Sequence, residues 1–406
     1  MVKLVTEKPS TVINENFGIG LENWDEAQFL SYTQLNMDKM FHTVALEPGD
    51  KPIALPYGKN QLDIDSLIMT DPLTERLISG QQLLNARVYN DALLVMHKGQ
   101  VVHESYRNGM LESDRHVIHS TTKSHCAMLV AIAIEEGLMD EKKEISIYIP
   151  ELKSISAWQG VNLGHVLDMV AGLHYDENYE DANSMFWDYG RAVGYCQSKH
   201  PKEVIGAKAW FIKNLVERTD APGDKFLYNS SLTNVLGTAL ENVYQKGLAE
   251  LFEKLLYGKV GAESDAYFNT DHLGFPITEG QLNLTLRDFS RTASLIINDG
   301  KNLQGEQVIP KCFIDDIVTP NSAAQLAFSR GKLAQLCPDG QYKNQFWVFE
   351  PKLKQFAMLG IHGQFAYYDL KHELMITGFS SHPTQDGASL FMALFELWEK
   401  ITLSLN

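Results

Sequence analysis

Basic side chains are the scarcer charge in this sequence, 35 Lys and Arg against 51 Asp and Glu, which leaves a formal net charge of −16. A surface of that sign repels phosphate and anionic headgroups, so neither nucleic acid nor membrane is the expected partner. Cysteine is scarce too. Cys126, Cys196, Cys312 and Cys337 are scattered without a CxxC pair. That spacing supports neither a zinc site nor a disulfide framework, and reduced thiols in a cytoplasmic protein are the expectation. Long apolar runs are missing: the longest, Cys126 to Ile134, has nine residues, about half of a membrane span. The opening MVKLVTEKPSTVINEN has no apolar stretch followed by a small-residue cleavage site, so no secretory signal is expected. No GxSxG elbow, Walker A loop, HExxH pair or strand-linked GxGxxG occurs, which removes the commonest hydrolase, nucleotide and zinc-protease signatures.

What the chain has is bulk and pattern. Its 406 residues, 44% hydrophobic, can bury a large core as one domain with an insertion or as two domains. Residues 1–60 are polar and punctuated by Gly and Pro, with Trp24, Phe29, Met37, Met40 and Phe41 as anchors. They read as an N-terminal arm packed on the main body. DALLVMHKGQVVHESYR, 91–107, is a hairpin signal turning at Lys98-Gly99. Helical periodicity marks 140–289, notably Leu163 to Met169, 204–217 and Ser231 to Leu248. Short strands return from Phe346, and an amphipathic helix runs from Gly387 to about Leu403. The expectation is an α/β (α+β) fold, in which 61–139 and 290–406 build one antiparallel sheet flanked by helices and 140–289 forms a mainly helical region.

Chemistry concentrates at Ser120-Thr121-Thr122-Lys123, which opens a helix running to Glu136 and stopping at Gly137. A serine and a lysine three apart share a helix face, so the amine can take the hydroxyl proton as the oxygen attacks a carbonyl. Burial and the positive end of the helix dipole both disfavour an ammonium there, lowering its pKa toward that of a useful base. The alternative is an ordinary helix start, with Ser120 as N-cap and Lys123 reaching into water. The same spacing recurs at Ser329 and Lys332, but there Gly331 intervenes and no sustained apolar helix follows.

A lysine-assisted serine needs a proton carrier for the leaving group and two N–H donors for the oxyanion. Tyr228, just after Pro222-Gly223, is a candidate carrier if a neighbouring ammonium lowers its pKa; the alternative is a core or rim tyrosine. Gly360-Ile361-His362-Gly363-Gln364-Phe365 lies between two strand-like runs, where glycines let backbone approach a ligand. His362 there could orient a substrate, or be a satisfied turn histidine. His116, His119, His125 and Cys126 invite a metal reading, yet they straddle the helix start with no distant partner pair.

The blocks RHVIHSTTKSHCAMLVAIAIEEGLMD, YIPEL, VNLGHVLDMVAGLHYDENYED, FLYNSSLTNVLG and GIHGQFAYYD resemble, in kind and order, the serine hydrolases related to class C β-lactamases and penicillin-binding proteins, most closely the 6-aminohexanoate-dimer hydrolases. The resemblance implies a β-lactamase/transpeptidase-like fold with a cleft between its two regions. It also implies Ser120 as nucleophile, Lys123 as its base and Tyr228 as proton shuttle. His362 and Gly363 would stand in the place of a Lys-Thr-Gly motif, Gln364 or Phe365 would give the second oxyanion N–H, and Tyr179 would be a flap tyrosine at the scissile bond. Ser230 replaces the asparagine of Tyr-x-Asn, and His362 replaces the lysine of Lys-Thr-Gly. Both departures point from β-lactams toward small linear esters or amides. No metal or cofactor is implied; a homodimer is compatible. The competing readings are a β-lactamase or D-amino-acid peptidase, and a non-hydrolytic binding or sensor protein of the same fold.

Overall fold

The hairpin at Lys98-Gly99 forms as the pattern predicts. Asn90–His97 pairs antiparallel with Gln100–Tyr106, and Lys98 and Gly99 take φ of 49° and 73°, as a two-residue turn of the primed type requires. In the computed structural model, which describes residues 4–5, 12–14, 16–196, 203–335 and 337–405, this hairpin is one edge of a seven-stranded antiparallel sheet. The order runs Gln341–Lys343, Phe346–Glu350, Gln355–Gly360, Gln364–Asp369, Leu374–Ser380, Asn90–His97, Gln100–Tyr106. N- and C-terminal parts of the chain thus meet at the pairing of Leu374–Ser380 with Asn90–His97.

Helices cover both faces of this sheet, which is why its central strands read as unbroken apolar runs. On one face Ala92, Leu94 and Met96 join the core around the helix Thr121–Glu135. On the other, Leu93, Val95, Phe365, Tyr367 and Ile376 meet Leu390, Leu394, Leu397 and Trp398 of the helix Ala388–Leu405. Trp398 stacks on Tyr367 with ring centroids 4.5 Å apart.

Thr121–Glu135 is buried on all sides through Ala133, so its polar members need internal partners. Thr121 Oγ1 donates to Ile118 O and Ser124 Oγ to Gln345 O, while His125 bridges Thr121 O and Thr292 Oγ1. Gly137, at φ 73°, ends the helix.

The stretch 140–289 holds helices Leu163–Leu167, Met185–Val193, Ala207–Asn214, Ser231–Tyr244 and Leu248–Leu255. It also holds two strands of a second sheet, which the single-sheet expectation missed. That sheet runs Leu4–Val5, Thr43–Leu46, Ala266–Asn269, Leu282–Leu284, His116–Val117, every pairing antiparallel. Strands of two to four residues are too short to show a period. Within the arm expected over 1–60, residues 1–3, 6–11 and 15 lie outside the described residues. Trp24, Met37, Met40 and Phe41 are buried, and Thr43–Leu46 is a strand of the second sheet. All four cysteines are free. Among the described residues no helix is long and apolar enough to cross a membrane.

Candidate active site

The second sheet delivers the nucleophile. Its edge strand His116–Val117 leads into a turn in which His119 takes φ 44°, a left-handed conformation that costs a side chain free energy. Ser120 follows at φ −63°, ψ −9°, and its side chain makes no capping bond. The hydroxyl instead stands 2.7 Å from Lys123 Nζ. Ser120 thus holds the N-cap position without capping the helix, and a water-exposed lysine is ruled out: Lys123 is 1% exposed. Ser329, the serine of the second spacing match, ends a helix with its hydroxyl on Leu326 O.

Burial pulls the Lys123 pKa down to about 8, against the charges of Glu177 and Glu279, which hold it up. Nζ also donates to the backbone oxygen of Glu279. The Glu279 carboxylate accepts from Asn234 Nδ2 at 3.0 Å, and burial raises it to about 7. Glu177 accepts from Ser230 N at 2.7 Å, from the Ser230 hydroxyl and from Tyr179 Oη at 2.8 Å. Its carboxyl too is raised, by burial first. Burial thus disfavours the charge on each of the three groups, while the lysine and the two carboxylates stabilise one another's charges.

Tyr228 comes to this group, with Lys123 Nζ 5.1 Å from its ring centroid and its ring stacked on Trp347 at 5.3 Å. The expected lowering of its pKa does not occur. Burial, then Glu177 and Glu279, push the phenol well up, and contact with Ser120 only partly opposes them. Burial first, with the two carboxylates adding to it, keeps Tyr228 a phenol that can give a proton. Tyr179 lines the same cavity as Ser120 and Lys123, together with Phe186, Tyr189, Tyr195, Ser230, Glu279, Gly280 and Ile361.

The segment 360–365 divides. Gly360 is where its strand passes the nucleophile turn, since a Cβ there would stand 2.8 Å from Ile118 O and 3.1 Å from His119 Cβ. Ile361 is on the cavity wall. His362 then turns the chain away with φ 60°. Its Nδ1 meets His382 O at 2.8 Å, burial lowers its pKa to about 4, and its ring faces His119 at 5.6 Å. Gly363 packs on Ser380. The Gln364 side chain bonds both backbone groups of Ser380. Phe365 sits in the ladder between Leu359 and Gly378, with its ring on Trp398. None of these four lines the cavity, so Ile361 is better placed than Gln364 or Phe365 to offer an N–H beside Ser120.

His116, His119 and His125 make separate contacts, to Val117 O, Gln34 and Thr292, and among the described residues no group of three His, Cys, Asp or Glu could hold a metal ion. Sequence reasoning missed Glu177, Glu279 and Ile361. Glu177 lies two residues from Tyr179 in DENYED and was within reach; Glu279, 156 residues from Lys123, carried no local signal.

Known proteins resemble this chain over most of its length. The beta-lactamase family profile matches residues 80–396. A 6-aminohexanoate-dimer hydrolase of Paenarthrobacter ureafaciens is 28% identical over 366 residues, covering 90% of this chain and 89% of that one. Among solved structures, a Bacillus anthracis protein provisionally named a 6-aminohexanoate-dimer hydrolase superposes with TM-score 0.84 at 23% identity, over 98% of this chain and 99% of that one. EstCE1, described as a hydrolase with promiscuous acyltransferase activity, gives TM-score 0.62 at 13% identity over 79% and 96%. The seven-stranded sheet with helices on both faces is the β-lactamase/transpeptidase-like fold, and this chain belongs to the beta-lactamase family.

Proposed function

We propose that this protein is a serine hydrolase that cleaves small esters or linear amides through an acyl-enzyme on Ser120. The observation that carries the reading is the 2.7 Å approach of a buried Lys123 amine, with a pKa near 8, to the Ser120 hydroxyl on a cavity wall. A neutral amine at that distance takes the serine proton as Oγ attacks the carbonyl carbon. The N–H groups of Ser120 and Ile361 hold the developing oxyanion. Tyr228, kept as a phenol, passes a proton to the leaving alcohol or amine and is reprotonated from Lys123. Water then attacks the ester on Ser120, with the same groups running in reverse. Tyr179 contributes an aromatic wall beside the scissile bond.

The reading calls for no metal or organic cofactor. It places the work in the cytoplasm, divided over 1–60, 61–139 with 290–406, and 140–289, with a homodimer as the assembly to test by sedimentation. Its relatives' names, a 6-aminohexanoate-dimer hydrolase and an acyl-transferring hydrolase, support amides and esters as the substrate class. A panel of acyl esters and short linear amides tests it. Wild-type turnover lost in Ser120→Ala is the expected result, and full turnover in that variant would sink the reading. A β-lactamase or D-amino-acid peptidase is the second reading. Against it, Ser230 is committed to Glu177, His362 is turned to His382 O, and Lys123 is the one lysine or arginine on the cavity wall among the described residues. Turnover of a chromogenic cephalosporin as fast as a simple ester would favour it. A stable acyl adduct with no turnover on any substrate would favour a sensor.

A further inference from the structure

The segment before residue 80 lies outside the family-matched region, yet it reaches the back of the cavity at two points. Gln34 is fully buried. Its backbone oxygen accepts the Val117 N–H at 3.1 Å, its Nε2 stands 3.2 Å from His119 Nε2, and its Oε1 lies 3.3 Å from Ser381 Oγ. His119 is held on other sides by backbone, since a Cβ on Gly280 would stand 3.4 Å from its carbonyl carbon and one on Gly360 3.1 Å from its Cβ. The His119 carbonyl accepts the Thr122 N–H at 2.9 Å. That carbonyl and the Ser120 N–H belong to one planar peptide unit, so whatever fixes His119 fixes the direction of the Ser120 N–H. Burial first, then His362, His116 and Lys123, keep the His119 ring neutral, which leaves one ring nitrogen as an acceptor for the Gln34 amide.

The second point is the wall. Trp24 Nε1 donates to Tyr195 O at 3.2 Å, its indole meets the Tyr195 ring edge-on at 4.8 Å, and Phe41 stacks on that ring at 5.6 Å. Tyr195 lines the cavity with Ser120.

We infer that the N-terminal segment is a positioning element of the active site, Gln34 aiming the Ser120 N–H through His119 while Trp24 and Phe41 fix the Tyr195 wall. The inference rests on the acyl-enzyme reading for its kinetic consequence. Gln34→Met keeps the side-chain length and removes both amide partners. It is expected to lower kcat on p-nitrophenyl butyrate about tenfold with little change in KM, as a small misalignment does. In protein labelled with 15N-histidine, Gln34→Met is expected to shift the His119 ring nitrogens, a readout independent of turnover. An unchanged His119 resonance, or an unchanged kcat in an enzyme whose wild type is active, overturns the Gln34 claim. Trp24→Phe is expected to raise KM more for long than for short acyl esters; an equal effect at all lengths overturns the wall claim. If wild type neither turns over esters nor labels at Ser120, the acyl-enzyme reading falls, and the ring nitrogen shifts still decide whether Gln34 holds His119.

Discussion

Glu177 accepts both hydrogen bonds that Ser230 can give, the backbone N–H at 2.7 Å and the hydroxyl. A residue that the sequence marks as a departure from the Tyr-x-Asn pattern is thereby tied to a carboxylate, and that carboxylate favours the protonated form of both Lys123 and Tyr228. It stabilises the ammonium and so raises the Lys123 pKa; it repels a phenolate and so keeps Tyr228 protonated.

The pH profile should show this. Lys123 must be neutral to accept the serine proton, so kcat/KM for an ester should rise with pH through about 8. Glu177→Gln removes a charge that favours the ammonium, which lowers the amine's pKa further. The rise should move to lower pH, by about one unit. A limb that stays in place would show that Glu177 does not act on the amine.

Lys123→Ala should lower ester turnover about 10²- to 10⁴-fold, the usual contribution of a positioned base. Lys123→Arg should not rescue it, because a guanidinium stays protonated at any working pH. Steady-state assays on folded variants, checked by circular dichroism, decide the point.

Tyr228→Phe should separate amides from activated esters. A p-nitrophenolate departs without help, whereas an amine must be protonated as it leaves. The expected loss is about 10²-fold on a linear amide and under about tenfold on a p-nitrophenyl ester. Equal losses on both would remove the leaving-group role.

Trp398→Ala tests the core on the face of the sheet away from the nucleophile helix. Trp398 is 1% exposed and packs against Phe349, Phe365, Tyr367 and Phe395. Deleting it should cost about 3–5 kcal/mol of unfolding free energy, read from denaturant melts. A cost below about 1 kcal/mol would mean the site collapses to fill the space.

What could be read beforehand was whatever has a local cause. The Lys98-Gly99 hairpin, the long apolar helix after Ser120 and the strands from Phe346 each carry their own turn or period. Ser120 and Lys123 meet because three residues span one helical turn. The second sheet was hidden because His116–Val117 and Leu282–Leu284 are short and find each other across more than 160 residues. Glu279 reaches Lys123 through that same pairing, so no neighbouring residue announced it. The glycine-flanked segment does pass the nucleophile turn at Gly360, but His362 at φ 60° swings the chain off the wall before Gln364 and Phe365, which is why the proposed oxyanion N–H moves to Ile361. The Tyr228 pKa was expected in the wrong direction for a related reason: the lysine was visible in sequence, whereas the burial of the phenol and the approach of Glu279 were not.

The most direct test of the acyl-enzyme on Ser120 is the mass of the protein quenched during turnover of p-nitrophenyl butyrate, followed by peptide mapping. The account predicts one butyryl group on the peptide carrying Ser120, and none in Ser120→Ala. A butyryl group on another residue, or undiminished hydrolysis by Ser120→Ala, would contradict it.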